Sequence, residues 1–138
     1  DSKFKLNALI HRDFCTPYFW TSETFSPALI VERTSRYVYR TLYWLHHSKP
    51  QTLADHLEQE IFVCQHGKCS SEQSQELDFR QLAKFYQAHA HQDNYSVLFN
   101  FFYGDTASQS LNYPNYGIQS VTGFEYAQKL AEERMKKN

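Results

Sequence analysis

Cysteine and histidine are the residues of this chain whose types and spacing could support covalent or metal chemistry. His11, Asp13 and Cys15 alternate, so on an extended strand they would share one face. An imidazole lowers the pKa of a neighbouring thiol and a carboxylate orients the ring, which is the make-up of a cysteine hydrolase. Groups on one strand converge less readily than groups brought in by separate elements. The three therefore stand as candidate catalytic residues for a competing reading, a small Cys/His- or metal-dependent hydrolase.

Cys64 and Cys69 flank Gly67. A hairpin there would bring them within the roughly 7 Å between Cα atoms that a disulfide needs, and a loop that small would pin local shape more than it would stabilise the fold. In an exported chain Cys15 would then be the odd thiol, buried or paired with another chain; in a cytosolic one all three would be reduced. Cys64, His66 and Cys69 could also be read as metal ligands, but no second pair stands at zinc-finger distance and three ligands within six residues are cramped. His89 and His91 would point about 200° apart on a helix. His46 and His47 close a helix where protonated rings favour the dipole. No motif implies a metal or cofactor.

Glu58 with Glu60, and Glu76 with Asp78, are possible carboxylate pairs, but they fall on faces expected to be solvated. A phosphate-binding glycine loop, a dinucleotide fingerprint, a zinc-protease histidine pair and a nucleophile elbow are all absent from the sequence. Asn94-Tyr95-Ser96 matches a glycosylation acceptor, a pattern short enough to recur by chance.

Recognition chemistry is better represented. The stretch Gly104–Ser120 is long for a plain connection, and its Tyr113, Asn115 and Tyr116 have the composition of adaptable binding loops, in which rings give contact area at low entropic cost. These three, with Tyr103 at the loop's border, are the candidate binding residues. The alternative is that the tyrosines fold back as a lid on the core. Three rings within Thr16–Ser22 read as a similar cover or as a docking patch.

The elements that would position these groups are legible from caps and periodicity. Ser26 can cap a helix with Pro27 at its first position, running about 20 residues to Pro50. Val31, Ser35, Val38, Leu42 and Leu45 form a 4-3-4-3 stripe, with Ile30, Thr34, Tyr37, Thr41 and Trp44 beside it. Glu32, Arg36, Arg40 and His47 would face solvent, making this helix the spine of the domain. Thr52 and Asp55 resemble a capping box before Leu53, Leu57 and Ile61. Residues 61–69 read as a short strand because Ile61-Phe62-Val63 is β-branched and aromatic. From about Ser74, Phe79, Leu82, Phe85, Tyr86 and His89 return to helical spacing, with Asp93 and Asn94 as breakers. Residues 95–103 alternate with period two and read as a strand ending at Gly104. Thr122 and Glu125 form a second capping-box pattern, with Val121 and Tyr126 as a staple, opening a helix that buries Phe124, Ala127, Leu130 and Ala131.

At 138 residues, with 17% aromatic content and only 4 Gly, the chain fits one globular domain spanning residues 1–138 whose large rings supply the buried area. The expected class is mainly α, with about four helices around one aromatic core and a small antiparallel β element from 61–69 and 95–103. A formal net charge of −1 offers no field for a polyphosphate, so nucleic acid is not an expected partner. No apolar run is long enough to span a membrane. The opening at Asp1 fits a processed exported chain, periplasmic or secreted, or a trimmed one. The functional expectation is a protein-binding or assembly module that holds a protein partner through the 104–120 loop. A hydrolase and a small apolar-ligand carrier are the alternatives.

Overall fold

In the computed structural model the described residues are 17, 19, 24–69, 76–119 and 121–137. His11, Asp13 and Cys15 lie outside them, as does most of the Thr16–Ser22 aromatic cluster.

Five helices are found among the described residues, and no strand. α1 (Pro27–His46) starts as its sequence predicts, with Pro27 in the first turn and the Ser26 hydroxyl accepting the Leu29 N–H at 3.1 Å. α2 (Leu53–His66) carries the full capping box: Asp55 N–H donates to the Thr52 hydroxyl, and Thr52 N–H donates to the Asp55 carboxylate. Its N-terminal N–H groups find further acceptors in the turn after α3 (Glu76–His89), where Leu53 donates to the Gln92 carbonyl and Ala54 to that of Ala90, both at 2.9 Å. α4 spans Tyr95–Ser110 and α5 spans Gly123–Lys136.

The small β element is not there, and both segments assigned to it are helical. Residues 61–66 are the last turns of α2, where Leu53, Leu57, Ile61 and Cys64 make one buried stripe. Helical packing on that stripe overrides the β propensity of Ile61 and Val63. Residues 95–103 form the first part of α4, with Asn94 as its N-cap accepting the Ser96 N–H at 2.9 Å. The alternation misleads because Val97, Leu98, Asn100, Phe101 and Phe102 are all buried, and a segment buried on most sides satisfies either period. The helix count is therefore five among the described residues, one more than expected.

The second capping box also differs. Thr122 is the N-cap of α5, but its side chain makes no capping hydrogen bond. Gly123 lies so close against the Phe101 ring that a Cβ there would collide with it, so close packing on α4 sets where α5 begins.

The core is one connected cluster. Leu53, Leu57 and Ile61 of α2 meet Leu82 and Phe85 of α3, Phe101 and Phe102 of α4, and Ala127 and Ala131 of α5. α2 is central, packing most extensively on α5 and next on α1; the small Ala127 and Ala131, fully buried, let α5 approach closely. Phe101 is the hub of the rings, in edge or tilted contact with Tyr86, Phe102 and Tyr126 and stacked with Phe85 at 6.0 Å.

Candidate functional site

α1 lies outside that core, and one of its two expected core stripes is turned the other way: Thr41 is buried and Trp44 packs on α2 as expected, whereas Val31, Val38, Leu42 and Leu45 are exposed. The charged side packs inward. Arg40 makes a two-pronged ion pair with Glu60 of α2, Nε to Oε1 at 2.6 Å and Nη2 to Oε2 at 2.9 Å. Gln59 donates to the same carboxylate at 3.1 Å, and the Trp44 indole N–H donates to the Gln59 amide oxygen. Burial opposes the Arg40 charge, but Glu60 more than offsets it and holds the guanidinium above its ordinary range. Tyr43 on Phe62 and Tyr39 on His66 extend the contact along α2. At the far end the Lys68 N–H donates to the Ser35 hydroxyl at 2.9 Å.

Two residues along a helix is a rotation of about 200°, so turning Arg40 inward turns Val38 and Leu42 outward. Val31 is 48% exposed, Val38 39%, Leu42 38% and Leu45 54%, and Ile30 and Phe25 are also exposed. Thr41 is the one buried residue of α1. Four of the five residues of one stripe expected in the core thus form an apolar ridge about 21 Å long from Val31 to Leu45, at 1.5 Å per residue, interrupted at Ser35, which turns in to Lys68. The cause lies in α2: Gln59 and Glu60 are both buried, and buried polar groups need partners, which α1 supplies from its charged side. A glutamate flanked by Leu57, Ile61 and Cys64 was the sequence signal for this, since a carboxylate in such a run must meet a cation. The expectation that Glu60 is solvated is corrected with it.

The predicted binding residues fall into two groups. Tyr95, Phe99 and Tyr103 stand one turn apart on α4 as a ring ladder, with centroids at 6.0 and 4.7 Å, continued by Phe124 at 5.4 Å. Tyr113 leans on this ladder edge-on, 5.9 Å from Tyr95 and 5.7 Å from Phe99. Tyr103 and Tyr113 are therefore brought together through Phe99, and Tyr95 and Tyr103 are both more than half exposed. Tyr116 belongs elsewhere, against Phe85 and His89, and Asn115 is exposed.

The loop holding them is shorter and better anchored than its sequence suggests, because α4 continues through Ser110 after a break at Gly104. Gly104 has φ 85°, in the left-handed region that disfavours a side chain, and the next N–H, of Asp105, donates to the Ile118 carbonyl at 2.8 Å. Beneath the loop, the buried Asn100 amide donates to Asp105 Oδ1 and to the Ser108 hydroxyl, each at 3.0 Å. Asp105 Oδ1 also accepts the Tyr116 N–H at 3.1 Å. This cluster latches the loop to α4. Asp105→Ala should cost about 1–3 kcal/mol, the usual loss when buried donors are left unpaired. Limited chymotrypsin digestion should then cut after Tyr116 faster than in the parent, and an unchanged cutting rate would show that the latch does not hold the loop.

The described cysteines are both free thiols, with Sγ atoms 3.0 Å apart and sharing a hydrogen bond. Cys64 is buried in α2; Cys69 is half-buried beside an open groove of about 580 Å³ between the start of α1 and the chain leaving α2. His66 is exposed and packs on Phe62; His89 packs on Phe85 and bonds Gln92 at 2.9 Å; His91 is exposed. Among the described residues no three of His, Cys, Asp and Glu gather as metal ligands would. A cleft of about 260 Å³ opens between α3 and the loop, lined by Leu82, Phe85, Ile118 and Val121 with Lys84 and Gln81 at its rim; it is below the usual range of small-molecule sites. No helix among the described residues is long and apolar enough to cross a membrane.

These features define a helical domain that carries an outward apolar helix ridge and an exposed ring ladder. Comparison with protein families, curated proteins and solved structures finds no match for this chain.

Proposed function

We propose that the chain is a protein-binding or assembly module, and that its principal contact is the outward ridge of α1 pairing with an amphipathic helix of a partner protein. The observation that carries this reading is the outward-turned stripe of α1: Val31, Val38, Leu42 and Leu45 face solvent while Arg40 is paired beneath. Contiguous exposed apolar residues on a folded chain mark interaction sites. Val38, Leu42 and Leu45 follow the 4-3 spacing of a helix–helix seam, in which each knob enters a hole on the facing helix. The ridge itself carries no charged side chain, so it suits an apolar facing helix.

The ring ladder of Tyr95, Phe99 and Tyr103 is the second contact in this reading, with Tyr113 supporting it. Aromatic anchors of this kind commonly dominate interface energy. The 104–120 loop then contributes through Tyr113 and the latch that holds it, while Asn115 and Tyr116 stand at the periphery.

The test is photo-crosslinking from a benzophenone side chain placed at Leu45, at the end of the ridge, in cells that express the chain. One discrete crosslinked partner is expected, lost on Val38→Lys/Leu42→Lys and kept when the benzophenone chain also carries His91→Lys, remote from the ridge. Adducts that are diffuse, or unchanged by the two lysines, would overturn the reading. A crosslinked product of twice the chain's mass would identify the partner helix as α1 of a second copy.

A further inference from the structure

Cys64 and Cys69 are placed for chemistry that neither the core nor the ridge requires. Cys64 sits in the last turns of α2, buried. The chain leaves α2 at Gly67, whose N–H donates to the Val63 carbonyl at 2.8 Å, and the next N–H, of Lys68, is tied to Ser35 of α1. These two bonds fix the path that brings Cys69 back over Cys64. A side chain at Gly67 would press on the Val63 carbonyl and the Ser35 hydroxyl, so the close return depends on a glycine. The two thiols differ in access: Cys64 faces the core, and Cys69 borders the open groove formed with Pro27, Ala28, Val31, Glu32 and Lys68.

We propose that Cys64 and Cys69 form a redox-active dithiol in which Cys69 is the attacking sulfur and Cys64 the resolving one, oxidised to an intramolecular disulfide by exchange with a low-molecular-weight disulfide.

The electrostatics agree with that division. Once Cys69 is ionised, Cys64 keeps its proton and donates across the 3.0 Å contact to the Cys69 thiolate; this bond holds Cys69 below the ordinary thiol range, and the Arg36 guanidinium adds to it against the effect of burial. The same bond and its own burial push Cys64 upward. The thiolate is the nucleophile in exchange, so the more accessible sulfur is also the one more readily ionised. Lys68 at the groove offers a positive charge to a disulfide whose ends carry carboxylates, while Glu32, paired with Arg36 at 3.0 Å, works against the lowering of Cys69.

In the first step the Cys69 thiolate attacks one sulfur of R–S–S–R; a Cys69–S–S–R bond forms, the R–S–S–R bond breaks and R–S⁻ leaves. Cys64 then gives up its proton, which neutralises that R–S⁻. Its thiolate attacks the Cys69 sulfur, closing the Cys64–Cys69 bond and expelling the second R–S⁻, which takes a proton from water in place of the one Cys69 lost on ionising. The protein loses two electrons and two protons; the external disulfide gains them as two thiols.

The experiment uses the whole chain carrying Cys15→Ser, fully reduced and then equilibrated in glutathione buffers from all-reduced to all-oxidised, acid-quenched, alkylated and mapped by mass spectrometry. Expected is loss of both alkylation sites with a single internal bridge in oxidising buffer, reversed in reducing buffer. Cys64→Ser should trap glutathione on Cys69, and Cys69→Ser should react about tenfold more slowly. Alkylation at Cys69 of the reduced chain that keeps Cys64, read site by site, should reach half its maximal rate below the roughly 8.5 of a free thiol and fall as pH drops through that lowered value. Two alkylatable thiols in fully oxidising buffer would overturn the proposal, as would a bridge that persists in reducing buffer or faster capture at Cys64. Circular dichroism on each variant confirms that the helices are kept, and the alkylation profile of the parent chain stands if a serine variant fails to fold.

Discussion

Phe101→Ala is expected to lower stability by about 3–5 kcal/mol, the range for removing a buried aromatic ring. For a domain that has about 5–15 kcal/mol in total, that is enough to leave a visible unfolded population at moderate temperature. Phe101 is fully buried and touches Phe85, Tyr86, Phe102 and Tyr126. It also receives the Gly123 backbone on its ring, so its loss opens a void among α3, α4 and the start of α5 that no single neighbour can fill. Urea unfolding should show a lower midpoint with an unchanged slope. Phe99→Ala, on the ladder at the surface, should cost clearly less; equal costs would mean that the rings do not converge on Phe101.

Arg40→Ala is expected to cost a similar amount, about 3–5 kcal/mol, because it strands the Glu60 carboxylate in a buried place. Gln59 would remain as its donor at 3.1 Å, too little for a full charge. The informative comparison is Arg40→Met with Glu60→Leu. Replacing both partners of a buried pair with apolar side chains is often neutral or stabilising, so the double variant should recover most of what Arg40→Ala loses. If the single change costs under 1 kcal/mol, in the range of exposed pairs, the pair is solvated and α1 does not dock by its charged side. The Arg134–Glu58 pair serves as the control, since it is two-pronged at 2.8 and 2.9 Å yet about half exposed, and Arg134→Ala should cost little.

How much could be read in advance depended on whether the determining interaction was local. Ser26-Pro27 and Thr52 with Asp55 lie within one turn of what they cap, and both starts are found where the residues place them. The α5 start at Thr122 was equally legible, but the missing side-chain cap was not, because Gly123 against Phe101 is a contact across 22 residues. The two segments read as strands failed for one reason. Ile61–Cys64 and Tyr95–Tyr103 are apolar nearly throughout, so periodicity carried little information and β propensity was left to decide. The orientation of α1 depended on a buried carboxylate in another helix, which a pattern confined to residues 27–46 cannot contain.

The candidate site divides in the same way. Tyr103 and Tyr113 meet, as residues singled out for their ring chemistry, yet the ladder that joins them runs through Phe99 and follows helical spacing that the strand reading concealed. Asn115 and Tyr116 were grouped with them for the composition of one short loop, and the latch from Asn100 through Asp105 holds Tyr116 against Phe85 and His89 instead. The approach of Cys64 and Cys69 was legible from Gly67 between them, although a helix end brings it about and not a hairpin.

The central claim is that α1 turns its apolar ridge to solvent, and the thermal unfolding of Val38→Lys/Leu42→Lys tests it most directly. It should be measured at a concentration where sedimentation shows one copy of the chain. Two charges on a solvated ridge should move the midpoint by no more than about 3 °C, the scale of ordinary surface substitutions. A fall of 10 °C or more, on the order expected for Arg40→Ala, would place the ridge in the core and contradict the account.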